Sequence, residues 1–165
     1  MNVDLLRAMS ESPRWRNLRV GAYVDEFDAE TTKQFSACVF ELGNGTLYVA
    51  FRGTDSSIVG WKEDFMMAFR RPVASQEAAA CYLTELADHW AGPIMVGGHS
   101  KGGNLAVYAA ANVPSEIQER VSNCAVHLKF HWPCCEYGPL PIHHCAVSSS
   151  RHAASTAPET VGTGR

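Results

Sequence analysis

Gly98-His99-Ser100-Lys101-Gly102 sets a serine between two glycines, each two positions away. This G-x-S-x-G spacing suits a nucleophile carried on a sharp strand-to-helix turn, where Gly98 and Gly102 remove side chains that would clash. Such a turn lifts the serine hydroxyl to the carboxyl end of a strand. The helix that follows then offers free N–H groups and the positive end of its dipole to a developing oxyanion. The N–H of Lys101, next after the serine, is the expected first donor. A second candidate lies in "AFRGTDSS", where Gly53 permits an unusual turn and Thr54 can present its N–H and hydroxyl.

Those residues need elements to position them. "QFSACVFEL" alternates as a strand, with Phe35, Ala37, Val39 and Glu41 on one face. Asn44-Gly45 then predicts a two-residue type I′ hairpin turn, and "TLYVAFR" returns as a buried strand. In "SSIVGWKEDFMMAF", Trp61, Phe65, Ala68 and Phe69 recur at helical spacing and read as a core stripe, capped by Ser56 or Ser57. Arg70-Arg71 reads as a solvated loop. "SQEAAACYLTELADHW" is a second helix, capped by Ser75, with Ala79, Tyr82, Leu83, Leu86 and Trp90 inward. "GPIMVGG" is a short strand leading into the serine turn. "KGGNLAVYAAANV" is the helix after it, with Leu105, Ala106, Ala109 and Ala110 inward and an end before Pro114. Residues 4–9 read as a short helix, and "SEIQER" as one more helical turn. "RWRNLRVGAYVDEFDAET" shows no clear period. The alternation of strands and helices predicts an α/β fold, a sheet with flanking helices.

Two ordered stretches, "FRGTDSSIVGWKEDF" and "VGGHSKGGNLAVYAA", resemble the class 3 lipases among the α/β-hydrolases. The likeness is strongest to an uncharacterised bacterial branch with a G-H-S-K-G-G motif, and it spans roughly residues 19–113. The resemblance implies a partial α/β-hydrolase-like sheet, truncated at both ends. It implies Ser100 as nucleophile, with Thr54 and the Lys101 N–H holding the oxyanion. The substrate class implied is a small-molecule or lipid acyl ester, with no cofactor. Lys101 is expected to point to solvent, and His99 to pack beneath the turn.

The family order Ser, Asp, His fails downstream. Asp88 is the last aspartate, and the later acids are Glu116, Glu119, Glu136 and Glu159. His127, His131, His143, His144 and His152 follow the serine, but none stands in a matching context. Glu136 with His143 or His144 is the one pairing to consider. The alternative to an enzyme is therefore a catalytically incomplete remnant or binding module of the same fold.

Composition supports one domain over residues 1–120 and a disordered or poorly folded tail over 121–165. Four of six cysteines and five of seven histidines lie beyond residue 120, as though the tail were frame-shifted or fused. His127, His131, Cys134, Cys135, His143, His144 and Cys145 carry zinc-ligand types. They lack the C-x-x-C pair of common structural sites, and prolines interrupt them. No metal is expected. A net charge of −3 gives no basis for nucleic-acid binding, and no apolar run has the length of a signal or membrane span. A cytoplasmic protein is expected. Open sheet edges make self-association the partner to expect besides substrate.

Overall fold

The computed structural model describes residues 2–127 and 145–148. Eleven elements follow in chain order: α1 (Asn2–Glu11), β1 (Arg19–Asp28), β2 (Lys33–Glu41), β3 (Leu47–Phe51), α2 (Ile58–Met66), α3 (Ala74–His89), β4 (Ile94–His99), α4 (Lys101–Asn112), α5 (Ser115–Gln118), β5 (Val121–His127) and β6 (Cys145–Ser148). The strands form one six-stranded sheet in chain order. β1, β2 and β3 run antiparallel, and β3 to β6 run parallel. The fold is the expected α/β sheet with helices packed on it.

The core follows from the pattern of each strand. Phe35, Ala37 and Val39 of β2 are buried, as are Leu47, Val49 and Phe51 of β3 and Ile94 and Val96 of β4. Ala79 and Leu83 of α3 meet Leu105, Ala106, Ala109 and Ala110 of α4 in the same cluster. Tyr82, Leu86 and Trp90 pack on its edge. Val121 and Cys124 of β5 are buried too, so the apolar cluster runs into that strand. No helix among the described residues is long and apolar enough to cross a membrane.

Four expectations need correction here. The hairpin turn is not type I′, because among its residues only Gly45 has a positive φ, 76°. Gly45 donates its N–H to the Leu42 carbonyl, and the Asn44 side chain accepts the Thr46 N–H instead of its backbone turning left-handed. The aperiodic stretch around residue 20 is a full strand, β1. Its pairing with β2 is interrupted between Gly21 and Val24, where Ala22 has φ 48°, and this break erases the alternation. Helix α3 begins one residue before Ser75, with Val73 as its N-cap, and Gln76 reaches back to accept the Val73 N–H at 3.0 Å. Ser75 thus sits inside the first turn. Finally, the aromatic stripe of α2 and the turn after it faces outward: Trp61 is 65% exposed, Phe65 71% and Phe69 78%. The buried face of α2 is carried by Gly60 and Glu63. At Gly60 the packing is close: a β-carbon would stand 3.0 Å from the Thr54 methyl group.

These burials separate the two faces experimentally. Leu83→Ala, at a fully buried position, is expected to lower unfolding free energy by about 2–5 kcal/mol, whereas Phe65→Ala should change it by no more than about 0.5 kcal/mol. Urea unfolding midpoints of the two variants check this.

Candidate functional site

Ser100 stands between the end of β4 and the start of α4, as the N-cap of that helix. Its backbone lies at φ 57° and ψ −121°. A non-glycine residue in this region is strained, and such strain persists only where surrounding structure enforces it. The enforcement is visible in the neighbouring backbone. A β-carbon on Gly98 would lie 2.6 Å from the Phe51 carbonyl oxygen and closer still to Gly102. One on Gly102 would lie 2.9 Å from the Arg52 carbonyl carbon and collide with the Phe51 oxygen. β3, β4 and α4 therefore meet at distances only glycine allows. The first turn of α4 closes with the Asn104 N–H donated to the Ser100 carbonyl at 3.2 Å.

The loop after β3 lies against this turn. A β-carbon on Gly53 would sit 2.8 Å from the His99 carbonyl oxygen and 4.0 Å from the Ser100 β-carbon. Thr54 follows directly. Its hydroxyl donates to Oδ2 of Asp64 on α2 in a short hydrogen bond. Asp55 accepts the Ser57 N–H, and Ser57 caps α2 by accepting the Gly60 N–H at 3.0 Å. Arg52, Gly53, Thr54, Asp55 and His99 line an open cleft of about 360 Å³. His99 is exposed beside that cleft, not packed beneath the turn as expected, because it ends β4 where the chain leaves the sheet.

The largest correction concerns Lys101. Its side chain is fully buried, not solvated. The ammonium Nζ donates to Glu63 Oε2 at 2.6 Å, to the Gln34 carbonyl at 2.6 Å and to Gln34 Oε1 at 3.2 Å. Glu63 Oε2 also accepts the Gln34 N–H, and its Oε1 accepts the Ser75 N–H, both at 2.9 Å. Alongside, Gln76 donates to Asn104 Oδ1 at 2.8 Å. Desolvating two charges is costly, so a pair this deep persists only with its lone pairs and protons satisfied. Sequence reading missed Glu63 and the direction of Lys101. The available signal was the spacing Gly60, Glu63 and Met67, which sets the acid on the inward side of α2.

Burial pushes the Asp64 carboxyl above the usual carboxylate range, partly offset by the Thr54 hydrogen bond and by the Lys101 charge. Its Oδ1 is buried and has no hydrogen-bond partner. Asp55 moves the other way, drawn down by its hydrogen bonds from Ser57 and by Arg52.

Two of the sequence-level acid candidates, Glu116 and Glu119, are not brought to Ser100. α5 carries Glu116 and Glu119 follows it, and both precede β5, which runs parallel to β4. They therefore lie at the amino end of the strands, opposite Ser100. His127 ends β5 level with His99 in the pairing register. Glu136, Glu159, His131, His143, His144 and His152, with Cys134 and Cys135, lie outside the described residues. Among the described residues no three His, Cys, Asp or Glu side chains group as a metal site.

This strand-turn-helix arrangement within a mixed sheet is that of the lipase-type α/β fold. A fungal lipase, solved as an inhibitor complex and described as a model for interfacial activation, superposes with a TM-score of 0.51 at 17% identity. The superposition covers 77% of this chain and 55% of that one, so the chain spans about half the length of that lipase. The chain belongs to the Mbeg1-like family, whose model matches residues 9–128. That match extends beyond residues 19–113 on both sides. No curated protein matches.

The Asp64 shift predicts a pH dependence. A carboxyl raised on folding contributes stability that is fully present below its unfolded value of about 3.9 and lost as pH rises through the raised value. Asp64→Asn removes this titration while keeping an acceptor for Thr54. The variant's stability relative to wild type should therefore be higher at pH 8 than near pH 4. Urea titrations at both pH values check the sign.

Proposed function

We propose that this chain is a serine hydrolase acting on an acyl ester. Ser100 Oγ attacks the carbonyl carbon. The carbonyl oxygen becomes an oxyanion held by the Lys101 N–H at the start of α4 and by Thr54. Collapse of the tetrahedral intermediate breaks the ester C–O bond and expels the alcohol, which carries off the proton lost by the Ser100 hydroxyl, and leaves an acyl-serine; water then attacks it, releasing the carboxylic acid and restoring the Ser100 hydroxyl. The carrying observation is Ser100 at φ 57° on the N-cap of α4, with Gly53 of the loop that carries Thr54 seated beside it. Preorganised N–H donors at such a position typically lower the barrier by about 3–4 kcal/mol each.

The exposed apolar face of α2 bears on the substrate. Ile58, Trp61 and Phe65 face solvent on the helix that follows Thr54, and Phe69 does so in the turn after it. Phe65 and Phe69 rings lie 5.2 Å apart. An acyl chain leaving the cleft would find apolar surface there, which favours a lipid-type ester over a polar one.

A second reading is a catalytically incomplete remnant or binding module. It is favoured by the absence of any aspartate after Asp88 and by the position of Glu116 and Glu119 at the wrong end of the sheet. The distinction is large, since removing the base from a serine triad costs on the order of 10⁶ in turnover.

A fluorophosphonate probe separates the two. The hydrolase reading expects stoichiometric labelling of folded wild type, abolished by Ser100→Ala, with turnover of a short p-nitrophenyl ester. Folded wild type that takes no label supports the remnant. The substrate reading has its own check: Trp61→Ala combined with Phe65→Ala should raise KM for an octanoyl ester about tenfold (about 1.4 kcal/mol) and leave KM for an acetyl ester unchanged.

A further inference from the structure

We propose that the buried Lys101–Glu63 pair is a positioning device that holds the oxyanion loop in register with Ser100. The proposal rests on Ser100 acting as nucleophile, and it assigns Glu63 and the Lys101 side chain a part in that chemistry without contact with substrate.

One carboxylate gathers four elements. Glu63 of α2 accepts from Gln34 of β2, Ser75 of α3 and Lys101 of α4, and neither side chain of the ion pair has any exposed surface. Lys101 is the residue whose backbone N–H follows the nucleophile. Asp64, next to Glu63 on α2, accepts the Thr54 hydroxyl. The two proposed oxyanion donors are thus joined through Lys101, Glu63, one peptide unit, Asp64 and Thr54. The Lys101 donor is already set by α4, but Thr54 sits on a loop and needs a separate hold. Oxyanion donors act over roughly 2.7–3.1 Å, so a loop free to shift by an ångström would forfeit its share.

α2 has few other anchors. Its large apolar side chains at Ile58, Trp61 and Phe65 face solvent, and its buried residues are Gly60 and Glu63. Gly60 offers close approach but no side chain. At its C-terminal end Met66 packs against the core and the C-cap Met67 is buried; nearer the loop that carries Thr54, the buried side chain that ties the helix to its neighbours is Glu63. An apolar pair of similar volume would often fill such a space at equal or better stability. What the ion pair adds is direction: Nζ donates three hydrogen bonds and the carboxylate accepts three, all from fixed elements.

The test compares wild type with a Glu63→Met/Lys101→Met double variant, which removes both charges together. Three quantities are read: the rate of Ser100 labelling by a fluorophosphonate, kcat and KM for a p-nitrophenyl acetate substrate, and hydrogen exchange of the α2 amides. The proposal expects a cooperatively folded double variant that labels about 10–100-fold more slowly, with kcat falling in parallel and KM unchanged. Exchange should accelerate in α2 and stay constant in β4 and α4. A Glu63→Gln/Lys101→Met variant, which keeps the carboxylate's shape and strands no charge, should shift labelling and α2 exchange in the same direction, and it serves where the Met pair does not fold. Wild-type labelling with unchanged α2 exchange in a folded variant overturns the proposal. Folded wild type that takes no label instead removes the nucleophile reading, and the positioning role with it. α2 exchange unaffected by the substitutions would separately refute the anchoring.

Discussion

The structure around Ser100 depends on a charge pair with no exposure to water. Lys101 and Glu63 meet at 2.6 Å with every other oxygen or proton of the pair directed at backbone or side-chain partners. Loss of either partner would strand a buried charge, a cost of about 3–5 kcal/mol. That cost welds α2 to the sheet and to α3 and α4. It also helps explain how α2 can present three large apolar side chains to solvent and still keep its place: Glu63 holds it on its inner side, with Met66 and Met67 packed at its end.

The second constraint is the close meeting of backbones at Gly98 and Gly102. Phe51, at the carboxyl end of β3, leaves no room for a β-carbon on either residue. With the first turn of α4 pressed against β3, the chain has a single residue in which to change from strand to helix, and Ser100 takes the strained conformation that results. The two constraints are complementary. The glycines bring the turn close to β3, and the ion pair beneath them brings the loop after β3 close to the turn.

Much of this was legible from residue order alone. The hairpin, the α3 and α4 inner faces and the strand-turn-helix around Ser100 follow from periodicity and from the two glycines. Errors arose where a tertiary contact overrode a local rule. Trp61, Phe65 and Phe69 look like an inner stripe until Glu63 is known to be buried, and Glu63 is buried only because Lys101, 38 positions on in the chain, reaches it. Lys101 at a helix start reads as solvated for the same reason. β1 was hidden by its break at Gly21–Val24, and the Asn44-Gly45 signal named the hairpin but not its turn, because the Asn44 side chain found the Thr46 N–H.

On the proposed reading, Ser100 and its oxyanion donors are carried by one rigid unit of β3, β4, α2 and α4, within a fold that spans about half of the fungal lipase it resembles. The most direct measurement is a crystal structure of the phosphonate adduct. The account predicts a phosphorus–Oγ bond at Ser100 and a phosphonyl oxygen within about 2.7–3.1 Å of the Lys101 N–H and of a Thr54 donor, with the Lys101–Glu63 pair intact beneath. An adduct whose phosphonyl oxygen points away from both residues, or one bonded to a side chain other than Ser100, would contradict it.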